Sequence, residues 1–149
     1  MGEEIAVQHL GADRFMIDIR GHRLVVDQHT DAMHVEAGPT PTELLVAALA
    51  SCTAHFARRV LGRDDPDATV SVACNHRMST AAPHRVEWVE MHVTVPAGLS
   101  AQRRASVERA MQHCTVHESL RSAPRVVIDL VPDPALPTAT PARAGSARA

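Results

Sequence analysis

One segment constrains the fold of this chain more than any other: an apolar run that starts at Thr40 and carries Cys52. Thr40 can cap a helix, Pro41 occupies the favoured first helical position, and Glu43 completes a capping box with Thr40. The residues that follow are apolar on nearly every side, and Gly62 is placed to end the helix. We therefore predict a central helix that is buried on several sides, with other elements packed around it.

Strand patterns flank this helix on both sides. Apolar and β-branched residues recur over residues 5–8, 15–27, 69–74, 86–95 and 125–131. Gly21 and His22 break the second stretch into two strands of an antiparallel meander. The strands are segregated around the helices instead of alternating with them, in the order β-β-(β)-α-β-β-α-β. This order predicts an α+β fold with antiparallel or mixed sheets.

A second helix is predicted after the fourth stretch, with Ser100 as its N-cap. Its apolar positions repeat at the spacing of one helix face, at Val107, Ala110, Met111 and Cys114. Cys114 is therefore expected on the buried face, at the end of this helix. We expect residues 1–131 to form one domain and residues 132–149, which have no apolar period, to be a disordered tail.

Charge and composition exclude several classes of function. The net charge of -2 provides no electrostatic footprint for nucleic acid or for an anionic membrane surface. The N-terminus lacks the pattern of a secretory leader, and no apolar run approaches the roughly 18 residues of a membrane span, so a cytoplasmic location is expected. All fifteen basic residues are arginine. Any thiolate must therefore be supported by arginine, histidine or a helix terminus.

Three cysteines in such a chain are too few for a disulfide framework. Cys52 lies about 18 Å along its helix from Thr40, beyond the reach of the helix dipole, so a reactive thiolate there needs a side-chain cation. The candidates are Arg14, Arg20 and Arg59, and the sequence does not choose among them.

The other two cysteines differ in their expected surroundings. The carbonyl end of a helix disfavours a thiolate, which suits Cys114 to a resolving role better than to an attacking one. Cys74 shares a strand face with valines and is interpreted as a small buried hydrophobe. A purely structural role for Cys52 and Cys114, or a metal site built on Cys114 and His117, stays open.

Two motifs resemble the OsmC/Ohr family: residues 38–53, and the run Cys114-Thr-Val-His117 that follows Cys52 at a distance of 62 residues. The resemblance extends over residues 5–131. It implies an intertwined homodimer in which two central helices pack on the sheets and bring the cysteines to the subunit interface. The implied activity is reduction of organic hydroperoxides, with no metal, flavin or other cofactor and with an external dithiol reductant such as a lipoyl dithiol.

The resemblance also assigns residue roles. It implies that Cys52 is the peroxidatic cysteine, that Cys114 resolves it, and that Arg14 stabilises the thiolate. A family glutamate that holds this arginine lies ten residues before the cysteine, whereas Glu43 lies nine before it. Glu43 therefore remains a candidate that should point away from the Cys52 face and act as a helix cap.

A second departure from the family pattern is Thr115, which stands where the family commonly has proline.

The residues also leave two alternatives to the peroxidase hypothesis. One is a non-enzymatic redox sensor or a binding protein for a small lipophilic ligand, and the other is a metal-bound or structural thiol pair.

Overall fold

The computed structural model describes residues 4–28 and 35–135. Three strands come first, β1 (Ile5–Gly11), β2 (Arg14–Ile19) and β3 (His22–Val26), followed by a long helix, α1 (Pro41–Leu61). Two strands and two helices complete the order: β4 (Ser71–Met78), β5 (Val86–Thr94), α2 (Ala101–Gln112) and α3 (Thr115–Arg121). The mixed α+β class is confirmed, and α3 is an element that the sequence patterns did not predict.

Both sheets are antiparallel. The first has the order β1-β2-β3, which confirms the meander, and the second pairs β4 with β5. The turn between β2 and β3 is made by Arg20 and Gly21, both at positive φ (55° and 84°), as hairpin turns of two residues require. Beside this turn, a hydrogen bond from Arg23 and one from the Gly21 N–H lower the pKa of Asp18 below its ordinary value.

Helix α1 starts and ends where the sequence predicts. The Glu43 N–H donates to the Thr40 hydroxyl (3.2 Å), while the Thr40 N–H donates to the Glu43 carboxylate (2.7 Å), and Gly62 caps the other end. One face of the helix is buried, at Val46, Leu49, Thr53, Ala57, Val60 and Leu61. The opposite face is uncovered at Ala48, Ser51 and His55, and Leu45 at the edge of the buried face is 43% exposed, so the expected burial on several sides is wrong for the single chain.

The core lies where the C-terminal half of α1 meets α2. Ala57, Leu61, Ala68 and Val107 are buried together there. Arg103 of α2 donates to the Val60 carbonyl (2.6 Å) and pairs with Asp64 (2.6 Å), which fixes the start of α2 against the end of α1.

The predicted last strand is absent. Residues 125–131 are exposed and belong to no strand. Four of their apolar side chains are 73–98% exposed: Val126, Ile128, Leu130 and Val131. A strand needs a neighbour that offers backbone hydrogen bonds, and within the described parts of this chain no sheet edge pairs with the segment. Residues 132–135 are likewise exposed, and the rest of the predicted tail lies outside the described residues.

By length and composition alone, α1 could cross a membrane, since it has 21 residues and a mean hydropathy of 1.3. This differs from the expectation that no apolar run would reach that length. The helix packs on α2, α3, β4 and β5. A core helix passes the same test as a membrane span. Within the single chain, 28% of the apolar window of α1 is buried by these contacts.

Candidate functional site

Cys114 of the predicted pair contacts the residue of α1 that directly follows Cys52. Cys52 is half-buried on α1, and Cys114 is completely buried (0% exposed). Thr53, which directly follows Cys52, has its hydroxyl oxygen 3.8 Å from the Cys114 sulfur. Both thiols are free. The packing of α3 on α1 therefore brings Cys114 against the turn of α1 that carries Cys52.

The surroundings of Cys114 correct one prediction. Helix α2 ends at Gln112, and Cys114 is the N-cap of α3, so its sulfur does not face the carbonyl end of a helix. Instead the sulfur accepts a hydrogen bond from the His117 N–H at 3.4 Å. Thr115 occupies the first position of α3, the place where proline is favoured in helices.

Arg14 has a buried acidic partner. Its Nε donates to a carboxylate oxygen of Asp27 (3.1 Å), and its Nη2 donates to the Val35 carbonyl (2.7 Å). Asp27 is 1% exposed, and its carboxylate also accepts from the N–H groups of Gln28 and Ala37, both at 2.9 Å. Arg14 is thus held by a carboxylate that is itself firmly fixed.

This pair is attached to the start of α1. The Asp27 N–H donates to the Pro39 carbonyl (3.1 Å), and Pro39 is the residue before the N-cap. Gly38 permits the connection, because a Cβ there would lie 2.0 Å from the Val25 carbonyl oxygen. Arg14 therefore lies near one end of α1, while Cys52 lies about 18 Å further along the same helix.

The structure does not join the remaining site candidates to Cys52. None of the hydrogen bonds of Arg14 to described residues involves the thiol. Glu43 forms the capping box with Thr40, as predicted. Arg20 lies in the β2–β3 turn, and the guanidinium of Arg59 lies over the ring of Phe56 at 5.6 Å.

The metal hypothesis finds no support in the part of the chain that the structure describes. Across residues 4–28 and 35–135, no group of three or more His, Cys, Asp or Glu side chains could hold a metal ion. Cys74 lies on β4, half-buried and paired with Met91 of β5, which is consistent with a packing role.

An apolar cleft of about 360 Å³ lies beside the thiol-bearing face of α1. Leu45 and Leu49 form its wall on α1, Trp88 lines it from β5, and Leu120 lines it from α3. Leu45 and Leu49 precede Cys52 by seven and three residues, which places the three side chains along one helix face. On α1 the cleft is lined from Leu45 to Leu49, about one turn before Cys52, which does not line it.

A family profile matches the sequence around this site. The profile is described as OsmC-like protein and matches residues 33–129, which include α1, both cysteines of the pair and Trp88. This chain belongs to the OsmC-like family. No curated protein matches the OsmC-like chain described here.

Solved structures are similar to this OsmC-like chain in fold. A Psychrobacter arcticus protein described as an osmotic stress induced and detoxification response protein has a TM-score of 0.69 at 22% identity, covering 80% of this chain and 89% of the other. The organic hydroperoxide resistance protein OhrB of Bacillus subtilis has a TM-score of 0.62 at 14% identity, covering 83% and 93%. An organic hydroperoxide resistance protein OsmC from Legionella pneumophila has a TM-score of 0.59 at 17% identity, covering 79% and 89%.

Two residues of this OsmC-like site were missed from sequence. Asp27 could have been found, because a two-residue turn at Arg20 and Gly21 pairs Phe15 with Val26 and so brings Arg14 opposite Asp27 at the end of the hairpin. Thr53 offered no signal, since its contact with Cys114 depends on how α3 packs on α1.

Proposed function

We propose that this OsmC-like protein reduces organic hydroperoxides through Cys52 and Cys114, using an external dithiol as reductant. The observation that carries the proposal is the unequal burial of two free thiols whose segments meet at Thr53. Cys52 is half-buried and can meet a substrate, whereas Cys114 is fully buried against Thr53. The names of the Bacillus and Legionella proteins of similar fold, both called organic hydroperoxide resistance proteins, support the same substrate class.

The proposed reaction has three steps. The Cys52 thiolate attacks the distal peroxide oxygen, the O–O bond breaks, and the alcohol leaves with a proton, so that Cys52 becomes a sulfenic acid. The Cys114 thiol then attacks the sulfenic sulfur, water leaves, and a disulfide forms. A dithiol, such as a lipoyl group, supplies two electrons and two protons and regenerates both thiols. No metal or flavin takes part.

Arg14 is the proposed cation beside the Cys52 thiolate, and we propose that it is supplied by the partner subunit of a homodimer. Within one chain, the contacts of Arg14 hold it near the start of α1, about three turns from Cys52. If two α1 helices pack antiparallel and are displaced along their axes by about half their length, roughly 16 Å, the start of one lies beside the middle of the other. The partner's Arg14 then reaches a thiol that the same chain's Arg14 does not.

Two uncovered apolar surfaces support the homodimer. One is the exposed face of α1, which includes Leu45. The other is the segment 125–131, whose side chains alternate as in a strand but have no neighbour in the described chain. Exposed apolar surfaces of this kind mark sites of association. A cytoplasmic location, where thiols are kept reduced, is the matching expectation.

Thiol counting tests the proposal. Purified protein treated with one equivalent of cumene hydroperoxide should rapidly lose two thiols per chain. Cys114→Ser should lose one thiol and retain a sulfenic acid that can be trapped, while Cys52→Ser should be inert. Cys74→Ser is the matched control and should behave as wild type. An unchanged thiol count in the wild-type protein would exclude the mechanism.

A second candidate function is binding of a small lipophilic ligand, with or without redox sensing. The apolar cleft beside Leu45 and Leu49 favours it. Steady turnover of hydroperoxide with a dithiol reductant separates the enzyme from the sensor, because a sensor reports one oxidation and does not cycle.

A further inference from the structure

We propose that Thr53 is a positioning residue for the resolving step, in which its hydroxyl holds the Cys114 sulfur against α1 and stays hydrogen-bonded to it during attack. The hydroxyl oxygen lies 3.8 Å from that sulfur. Both residues are buried, with Thr53 3% exposed and Cys114 0% exposed. The contact therefore joins the start of α3 to the turn of α1 that carries Cys52.

The Thr53 hydroxyl is used for this contact and not within its own helix. A threonine inside a helix commonly donates to the carbonyl group one turn before it. In the part of the chain that the structure describes, the Thr53 hydroxyl has the Cys114 sulfur as its single partner. Because Thr53 is β-branched, few rotamers are open to it, and α1 sets the direction of the hydroxyl. A buried hydroxyl without a partner costs free energy, which keeps the two groups together.

The chemistry of the resolving step gives the hydroxyl its role. Cys114 attacks the sulfur of the Cys52 sulfenic acid, its S–H bond breaks, a disulfide forms, and the sulfenic hydroxyl leaves with that proton as water. A hydroxyl accepts from a thiol and donates to a sulfur that has lost its proton, so Thr53 stays paired throughout. The other partner of the sulfur, the His117 N–H at 3.4 Å, only donates. Thr53 is thus the partner that serves both forms of the sulfur.

The rate of this step determines what becomes of the sulfenic acid. A second hydroperoxide molecule oxidises an unresolved sulfenic acid to a sulfinic acid and leaves as its alcohol, and a dithiol does not reduce that product. Thr53→Val keeps the shape of the side chain and removes its hydroxyl. It should therefore raise the ratio of Cys52 sulfinic acid to disulfide, measured by mass spectrometry. This consequence rests on the proposed peroxidase activity, whereas the effect of Thr53 on Cys114 does not.

Thiol–disulfide exchange tests the role of Thr53 without any hydroperoxide. In protein that carries Cys74→Ser, Cys52 attacks one equivalent of dithiodipyridine and releases a first pyridinethione. Cys114 then attacks the mixed disulfide on Cys52 and releases the second, so the two steps are followed by absorbance in one experiment. Thr53→Val should leave the first rate unchanged and slow the second by about fivefold or more. Thr53→Ser, which keeps the hydroxyl, should restore the second rate.

Ser119→Ala is the matched control, because it removes a hydroxyl that donates to the Thr115 carbonyl within α3 and does not contact the sulfur. Both rates should stay at their wild-type values. Thr53→Ala also lacks the hydroxyl and should slow the second release, so the test does not depend on the folding of one variant. An unchanged second rate in Thr53→Val and Thr53→Ala would overturn the proposal. So would an equal slowing of both releases, which is the effect of a distorted helix.

The two proposals fail separately. If the second release depends on the Thr53 hydroxyl but cumene hydroperoxide leaves the thiol count unchanged, the peroxidase is refuted and Thr53 still positions Cys114. If cumene hydroperoxide oxidises both cysteines and the Thr53 variants form the disulfide as fast as wild type, the peroxidase stands and the role of Thr53 is refuted.

Discussion

Arg14 and Asp27 form a 3.1 Å ion pair that attaches the β2–β3 hairpin to the start of α1. The two partners differ in exposure, since the Arg14 side chain is 38% exposed and that of Asp27 is 1% exposed. The buried carboxylate is thus the fixed member, and the arginine is oriented by it. In this chain Asp27 orients the arginine, while Glu43 caps the helix with Thr40.

Asp27→Asn should therefore release the Arg14 side chain. Because Arg14 is accessible to solvent, its charge stays hydrated in the variant, and we expect the free energy of unfolding to fall by about 1–3 kcal/mol. If Arg14 supports the Cys52 thiolate, the rate of Cys52 alkylation at neutral pH should also fall. Asp27→Glu should recover part of the rate.

Asp18→Asn is the matched control for this experiment. Asp18 belongs to the same hairpin and binds Arg23 at 2.9 Å, but this pair is much more exposed than Arg14–Asp27, since the Arg23 side chain is 72% exposed and that of Asp18 is 32% exposed. Its replacement should change neither the stability by more than about 1 kcal/mol nor the reactivity of Cys52. If Asp27→Asn lowers stability and leaves the alkylation rate of Cys52 unchanged, then Asp27 has only a structural role.

The capping box allows a test of what Glu43 does. Thr40→Ala removes the side chain that accepts the Glu43 N–H, and should lower the free energy of unfolding by about 1 kcal/mol in thermal or denaturant melts. Glu43→Gln should cost less, because glutamine can still accept from the Thr40 N–H. A loss of peroxide reactivity in Glu43→Gln at unchanged stability, not reproduced by Thr40→Ala, would contradict a role limited to capping.

Helix α1 could be predicted from sequence because its determinants are local. Thr40, Pro41 and Glu43 act on one turn of backbone, and Gly62 acts on another, so no distant contact is needed to recognise either end. The prediction that Cys114 ends the second helix was wrong, because apolar spacing does not mark where a helix stops. The apolar spacing continues from Val107 to Cys114, but the α2 helix ends at Gln112 and a new helix starts, which spacing alone does not reveal.

The contacts that build the site depend on packing and are harder to predict. The apposition of Thr53 and Cys114 joins residues 61 positions apart through the docking of α3 on α1. Residues 125–131 have the apolar pattern of a strand, which indicates only that the segment is able to pair with another strand. Within the described chain no strand pairs with it.

Segment 125–131 provides a test of the homodimer. As a strand it would present Val126, Ile128 and Leu130 on one face and Asp129 on the other. Replacing Ile128 and Leu130 by lysine should weaken self-association by about a hundredfold or more, since each buried side chain contributes about 1.5–3 kcal/mol. Light scattering and sedimentation would measure this.

Asp129→Lys introduces the same charge on the opposite face and should weaken self-association far less. The double lysine variant should remain folded by circular dichroism, because Ile128 and Leu130 are 84% and 98% exposed in the single chain. A wild-type protein that stays monomeric at micromolar concentration would contradict the homodimer and, with it, the contribution of Arg14 from the partner.

Mixed dimers would decide whether the site is shared between subunits. Cys52 and Cys114 belong to one chain, where Thr53 contacts Cys114, whereas Arg14 of that chain lies near the other end of α1. A dimer of one Cys52→Ser chain and one Arg14→Gln chain then has one complete site, with its thiols from the second chain and its arginine from the first. Refolding the two variants together should restore about one quarter of the wild-type peroxidase rate, since half of the dimers are mixed and each has one complete site of two. If each arginine served its own chain, mixing would restore nothing beyond the average of the two variants.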